Sequence, residues 1–443
     1  MMILPFKRSL SAIAIALLFG VAAGADDADE IIRNAFSPYI DGPPTMPGYQ
    51  PGVAIDASNF STFAEAIPEG LSRIVEDGGY VLETRPTFSI DISENYKQAT
   101  REQLGKVQLG PEVGDVTGFV AGRPFPEDPS PDDPRAGEKL IWNYQYGYAA
   151  GDALSVDPMY WTYKHLSDGS IDRRIELEGH LLNVMGRVDT DPKPELTPNP
   201  HQILRSLYLN VREPFELRDT QLLMHRYIDD KKRDDAWMYL GSTRRIRRLA
   251  TGQTTDSYLG SELMIEDFGG YNGRISDYKW SYVRTANVVM PFYRHSELTE
   301  FATDPPPQKD GYQFVEFGGQ GGCFPLIHWQ LRKVFVLDGS PVDESHPVTR
   351  RRLYIDAQTF TVPYEDIYDV AGKLWKIYIV GQAHPDFYKG SEHAGIGASF
   401  FEVFTVVDLQ AGRCTVGQFY LHPNSKKVKR RLFDPGYMQS KGR

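Results

Sequence analysis

Four arginines stand almost side by side in "TRRIRRL", Arg244, Arg245, Arg247 and Arg248, in a chain whose formal net charge is −11. A guanidinium presents a planar fork of donors that fits a carboxylate or phosphate bidentately, so Arg245 is a candidate for holding an anionic head group. The plainer role is structural. On an extended strand Arg245 and Arg247 share one face and Arg244, Ile246 and Arg248 the other, a charged row that guards an edge or pairs with Asp234, Asp235, Glu266 and Asp267. The acids nearby favour that role.

Three aromatic pairs form the second constellation: Trp142 with Tyr144, Trp161 with Tyr163, and Trp237 with Tyr239, each spaced i and i+2. On a strand this spacing points both rings to one side of the sheet, so the six could line an apolar concavity that takes up a hydrophobic molecule. The two cysteines, Cys323 and Cys414, either pair as a disulfide or remain buried free thiols. A nucleophilic role for Cys323 in "GGQGGCF" has little support, because the glycines mark turns and no spacing ties it to a histidine.

Bond-making chemistry finds no constellation. The sequence has no Gly-x-Ser-x-Gly elbow, no His-Glu-x-x-His helix and no phosphate loop, which predicts a protein that is not an enzyme and holds no cofactor. His384 and His393 flank a glycine-rich loop without a matching ligand series, so no metal site is expected. The acidic balance excludes a broad basic field and with it nucleic acid as a partner.

The elements that must position these residues are mostly strands. "KLIWNYQYGY" alternates through Leu140, Trp142, Tyr144, Tyr146 and Tyr148 and predicts a strand with an aromatic face. "YWTYKHL" continues the pattern, turns at Ser167-Asp168-Gly169, and leads into "IDRRIELEGHLL", which is hairpin grammar. Further strands are expected at "ILRSLYLNV", "QLLMHRYI", "DAWMYL", "RRIRRL", "YKWSYVRTANV", "LRKVFVL", "RRLYIDAQTFTV", "KLWKIYIV" and "FFEVFTVVDL". Before residue 138 the pattern differs: "STFAEAIPEGLSRIVEDGG" and "SENYKQATREQLGKV" predict helices, and the proline-rich "RPFPEDPSPDDPRAG" a strap. The expected organisation is a signal peptide over 1–25, a helical and strap region over 26–137, and an antiparallel sheet domain over 138–443. Such a sheet either closes a half barrel beneath a small helical lid or forms a sandwich with a solid core; periodicity alone favours the second.

The N-terminus sets the compartment. Lys7 and Arg8 precede an apolar run from Leu10 to Ala23, and Ala23-Gly24-Ala25 fits a cleavage site before Asp26, so a cleaved signal peptide and a periplasmic mature protein are expected.

The segment from 234 to 280, with Trp237, Tyr239, Arg244, Arg245, Arg248, Gly260, Ser261, Glu266 and Asp267, resembles the periplasmic outer-membrane lipoprotein-sorting superfamily. "AGRPFP" at 121–126, "WN" at 142–143 and "YIDAQTFTVPYEDIYDVAGKLWK" at 354–376 are similar to a longer family, number 1329 among domains of unknown function. The resemblance implies a mainly β fold, an open half barrel of about eleven strands plugged by helices as in LolA and LolB, with a cavity for acyl chains. One departure is Gly241-Ser242, where that family usually has proline. Two functions stay open: a periplasmic carrier that passes a lipid or other hydrophobic molecule to an inner- or outer-membrane partner, or an interaction subunit with a solid core that docks an envelope transporter.

Overall fold

Short turns between consecutive strands force antiparallel pairing, and thirteen strands of at least four residues, among the described residues, join into one sheet. The computed structural model describes residues 25–148, 150–249, 253–386 and 393–442, so residues 1–24 of the expected signal peptide lie outside the described residues. The first six strands are β1 (Ala153–His165), β2 (Ile171–Asn183), β3 (Ile203–Glu213), β4 (Gln221–Tyr227), β5 (Asp235–Leu240) and β6 (Arg245–Arg248). The remaining seven are β7 (Tyr278–Met290), β8 (His328–Pro341), β9 (Val348–Asp356), β10 (Tyr364–Asp369), β11 (Leu374–Ala383), β12 (Phe400–Asp408) and β13 (Arg413–His422). Each run is a meander, and β13 pairs with β1 to join them, giving the order β7 to β13 and then β1 to β6. The curved sheet is not closed: β6 ends it on one side, and on the other β7 and two short strands, Leu82–Thr84 and Ala54–Ile55, flank β8.

Both faces of this sheet are covered. Helices α1 (Ala25–Phe36), α2 (Glu69–Glu76) and α3 (Glu94–Gln103) belong to the region that packs on the outer face of β8 to β13, against Val334, Val336, Ile377 and Ile379. The outer face of β2 to β5 is covered by the C-terminal segment with α5 (Pro435–Lys441), which packs on Tyr208, Leu223 and Tyr239. Double coverage explains why β11 and β12 are apolar nearly throughout rather than alternating.

The stretch "KLIWNYQYGY" is corrected from strand to helix. Its first seven residues, 139–145, lie in α4 (Ala136–Gln145), which packs on the inner face of β7, β8 and β9 against Phe335, Leu337, Leu353 and Ile355. Leu140, Ile141, Trp142 and Asn143 are consecutive and all buried, so the helix is enclosed on every side and its sequence carries no clean helical period. Its true register is i, i+4: Trp142 stacks on Tyr146 at 5.3 Å, and the Trp142 indole N–H donates to Glu138 at 3.4 Å. A Cβ at Gly137 would lie 2.6 Å from the Trp280 carbonyl oxygen, so glycine lets α4 approach β7.

Two strands absent from the expected set, β10 and β13, carry residues that mimic loops. In β10 "YEDIYD" the acids Glu365 and Asp366 are fully buried. In β13 Gly417 faces the Phe404 ring, where a Cβ would come within 1.9 Å. Cys323 and Cys414 join the turn before β8 to β13, with sulfur atoms 2.08 Å apart.

Candidate functional site

Between the inner face of the sheet and its cover lies a cavity of about 250 Å³, just below the roughly 300–1,000 Å³ of small-molecule sites. Strands β1, β3 and β4 supply Val156, Met159, Trp161, Leu207, Leu209 and Met224 to its wall. Val380, Phe401, Phe404 and Phe419 come from β11, β12 and β13. The cover is the C-terminal end of α4, through Tyr144, and the segment 258–277, through Leu263, Phe268 and Tyr271. Trp161 holds cover and sheet together: its ring meets Tyr258 at 5.9 Å, Phe268 at 6.1 Å and Phe404 at 5.6 Å, all edge to face.

A buried ionic cluster fastens the cover. Arg351 on β9 is fully buried and donates to Glu365 at 2.9 Å, to the Tyr278 hydroxyl at 3.0 Å and to Glu266, with Asp267 at 2.8 Å. Glu266 and Asp267 belong to the covering segment, so this arginine ties it to β9 and β10. Burial opposes every charge here, yet Arg351 and His346 outweigh it at Glu266 and hold that carboxylate down at about 2. At Glu365 burial wins over Arg351 and raises the carboxyl to about 8. Tyr144 adds a tie, its hydroxyl donating to Gly269 at 2.8 Å and accepting from the Tyr271 N–H at 3.0 Å.

One region of the cavity wall is polar. On β3 the inward row is Arg205, Leu207, Leu209; on the adjacent β4 it is Arg226, Met224, Leu222. Arg205 and Arg226 are direct cross-strand partners. Arg226 is buried and paired with Asp234 at 2.5 Å, and it also donates to the carbonyls of Asn272 at 2.5 Å and Gly273 at 2.8 Å. Burial pulls its ionisation down, but Asp234 outweighs burial and keeps it above the ordinary arginine value. Arg205 donates to the side chain of Gln145 at 2.7 Å and to its carbonyl at 3.3 Å. Burial, and then the charge of Arg226, bring Arg205 down to about 10, still fully protonated at neutral pH.

The aromatic pairs and Arg245 separate in space. Tyr144 and Trp161 reach the cavity wall. Tyr163 shares the apolar cluster of Trp161 without lining the cavity, its hydroxyl 3.4 Å from the Leu259 carbonyl. Trp142 turns away from Tyr144 because both sit on a helix, and it is buried against the inner face of β8 and β9. Trp237 and Tyr239 occupy the outer face, where Tyr239 packs under the C-terminal segment and donates to the Gly442 carbonyl at 2.9 Å. Arg245 and Arg247 are exposed on the edge strand β6, outside the cavity lining; Arg248 pairs with Asp235. Gly241 in the preceding turn is required locally, since a Cβ there would lie 2.3 Å from the Arg218 carbonyl oxygen.

Several quoted motifs are fastenings of the fold. Arg123 of "AGRPFP" is sandwiched between the rings of Phe36 and Phe360 at 4.2 and 4.0 Å. Asn143 of "WN" exchanges hydrogen bonds with the backbone of Phe125 at 2.9 and 2.6 Å. Arg205 and Arg226, the charged wall of the cavity, have no motif around them; their trace in the sequence is an arginine at one end of an apolar row, first in "RSLYL" and last in "LLMHR".

An unclosed, curved antiparallel sheet around a covered apolar cavity defines the class as a plugged half barrel. The chain belongs to the DUF1329 family, described as a protein family of unknown function, whose profile matches residues 54–439. It is 23% identical over 371 residues to the uncharacterized protein PA3922 of Pseudomonas aeruginosa, covering 80% of this chain and 72% of that one. Among solved structures it is similar to a DUF1329 family protein from Desulfovibrio piger, at 15% identity and a TM-score of 0.47 over 69% of this chain and 99% of the other. An outer membrane lipoprotein-sorting protein domain from Vibrio parahaemolyticus gives 15% identity and a TM-score of 0.46, over 69% and 100%. The LolA superfamily protein NE2245 from Nitrosomonas europaea gives 13% and 0.40, over 68% and 98%.

Proposed function

We propose that the protein is a non-enzymatic periplasmic carrier that takes a hydrophobic molecule into the cavity between sheet and cover and delivers it to an envelope partner. The observation that carries this reading is the apolar wall of that cavity, built by Met159, Trp161, Leu207, Phe404 and Phe419. Moving an apolar chain from water onto such a wall is favourable by about 25 cal/mol per Å² of area removed from water. The Cys323–Cys414 bond supports an oxidising compartment, as does the signal-peptide pattern of the first 25 residues.

Displacement of a fluorescent fatty-acid probe tests it. Wild type should bind the probe saturably, and Leu207→Trp, which fills the cavity, should weaken binding by about tenfold or more, the equivalent of about 1.4 kcal/mol. Tyr239→Leu, on the outer face, should lower the unfolding midpoint and leave probe affinity unchanged. A wild-type protein that binds no apolar probe and yields no extractable lipid overturns the carrier reading; the aromatic rows are then ordinary core.

A further inference from the structure

Like charges directly opposite each other on neighbouring antiparallel strands repel. Arg205 and Arg226 are such a pair, and only one of them is compensated. Asp234 takes Arg226; Arg205 has no carboxylate within 4.0 Å among the described residues. Of the described residues that line the cavity, only Arg205, Arg226 and Asp234 carry charge at neutral pH, because burial holds His180 neutral and keeps the tyrosines protonated. The described wall therefore carries one net positive charge in mostly apolar surroundings. A guanidinium has five N–H donors, and Gln145 receives two hydrogen bonds from this one. Among the described residues the rest of the fork has no partner, and Leu207 and Leu209 continue from it along the same face of β3.

We infer that the carried molecule is an amphiphile with a single anionic head, a carboxylate, seated against Arg205 while its apolar chain lies along Leu207 and Leu209. The inference rests on the carrier reading and names the ligand class. One net positive charge matches a monoanion, whereas a phosphate monoester would bring close to two negative charges. The planar fork matches the two oxygens of a carboxylate, and the low-dielectric wall strengthens the contact. Gln145, at the end of α4, is the positioning residue: as a neutral acceptor it aims the guanidinium without consuming its charge.

The test is competition for the fluorescent probe by decanoate, methyl decanoate and decyl phosphate, using the full chain after delipidation. Wild type should prefer decanoate to its methyl ester by about ten- to a hundredfold, the range of a hydrogen bond to a charged group. Arg205→Met should erase that preference while ester affinity stays within about twofold, and Arg205→Lys, a point charge without the fork, should keep part of it. Arg245→Gln should behave as wild type. Equal binding of acid and ester by wild type overturns the inference and leaves the carrier reading standing; binding of neither overturns both. If Arg205 merely caps α4, Arg205→Met lowers the unfolding midpoint and weakens acid and ester alike, which also refutes it. Tighter binding of decyl phosphate than of decanoate refutes the carboxylate head.

Discussion

Replacing Glu402 by glutamine should change how stability depends on pH. Glu402 on β12 is 1% exposed and accepts a hydrogen bond from the Tyr293 hydroxyl at 3.1 Å, and among the described residues no cation offsets its burial. Burial raises its carboxyl from 4.5 to about 8, against the small opposing effect of that hydrogen bond. The folded protein then holds a proton that the unfolded chain has released between those two values. Stability from this group is complete below about pH 4.5 and is lost as pH rises through about 8. At about 1.4 kcal/mol per unit, the full loss is at most about 5 kcal/mol, with roughly 1 of it spent by pH 5 and roughly 3 by pH 7. Glu402→Gln keeps an acceptor for Tyr293 and cannot ionise. Guanidinium unfolding of wild type and variant should show a gap that widens in favour of the variant by about 4 kcal/mol from pH 5 to pH 9. Asp366 and Glu365, whose carboxyls are also raised by burial, titrate in both proteins and cancel in the difference. A gap that stays flat across that range refutes the assignment of a neutral, buried Glu402.

Two further outcomes follow from the fastenings. Arg351→Met strands the buried Glu266 carboxylate and removes a partner of the Asp267 and Glu365 carboxyls; it should destabilise the protein by about 3–5 kcal/mol, with faster proteolysis of the segment 258–277. Unfolding midpoints and cleavage rates identical to wild type would contradict the tie between cover and sheet. Replacing Cys323 and Cys414 by serine opens a loop of sequence separation 91, and the chain-entropy relation gives a loss of about 4–5 kcal/mol. Free-thiol labelling of denatured, unreduced wild type is the companion measurement, and two labelled cysteines per chain would contradict the bond.

The sheet was legible because hairpins write themselves locally. Ser167-Asp168-Gly169 turns the chain between β1 and β2, and Gly169 supplies the positive φ of 73° that the turn needs. An alternating row says which residues share a face, but not which layer that face meets. Trp161 and Trp237 illustrate the difference: each leads an i, i+2 pair on a strand, yet one meets the cavity and the other lies under the C-terminal segment. The face of β5 is decided by α5 and the chain end, some two hundred residues later in sequence, where Gly442 packs on the Tyr239 ring. Trp142 fails for another reason, since a helix buried all round looks like an aromatic strand. Density of charge in sequence is a poor guide to its strength: the four adjacent arginines lie at an edge strand where solvent screens them. A single guanidinium set among leucines is harder to see and physically stronger, because its field acts through apolar wall and not through water. Arg205 acquires its meaning only from the register that sets it opposite Arg226 and from the loop that gives Asp234 to one of the two. Affinity for an anion at this place is thus a property of the pairing between β3 and β4, which no single segment contains.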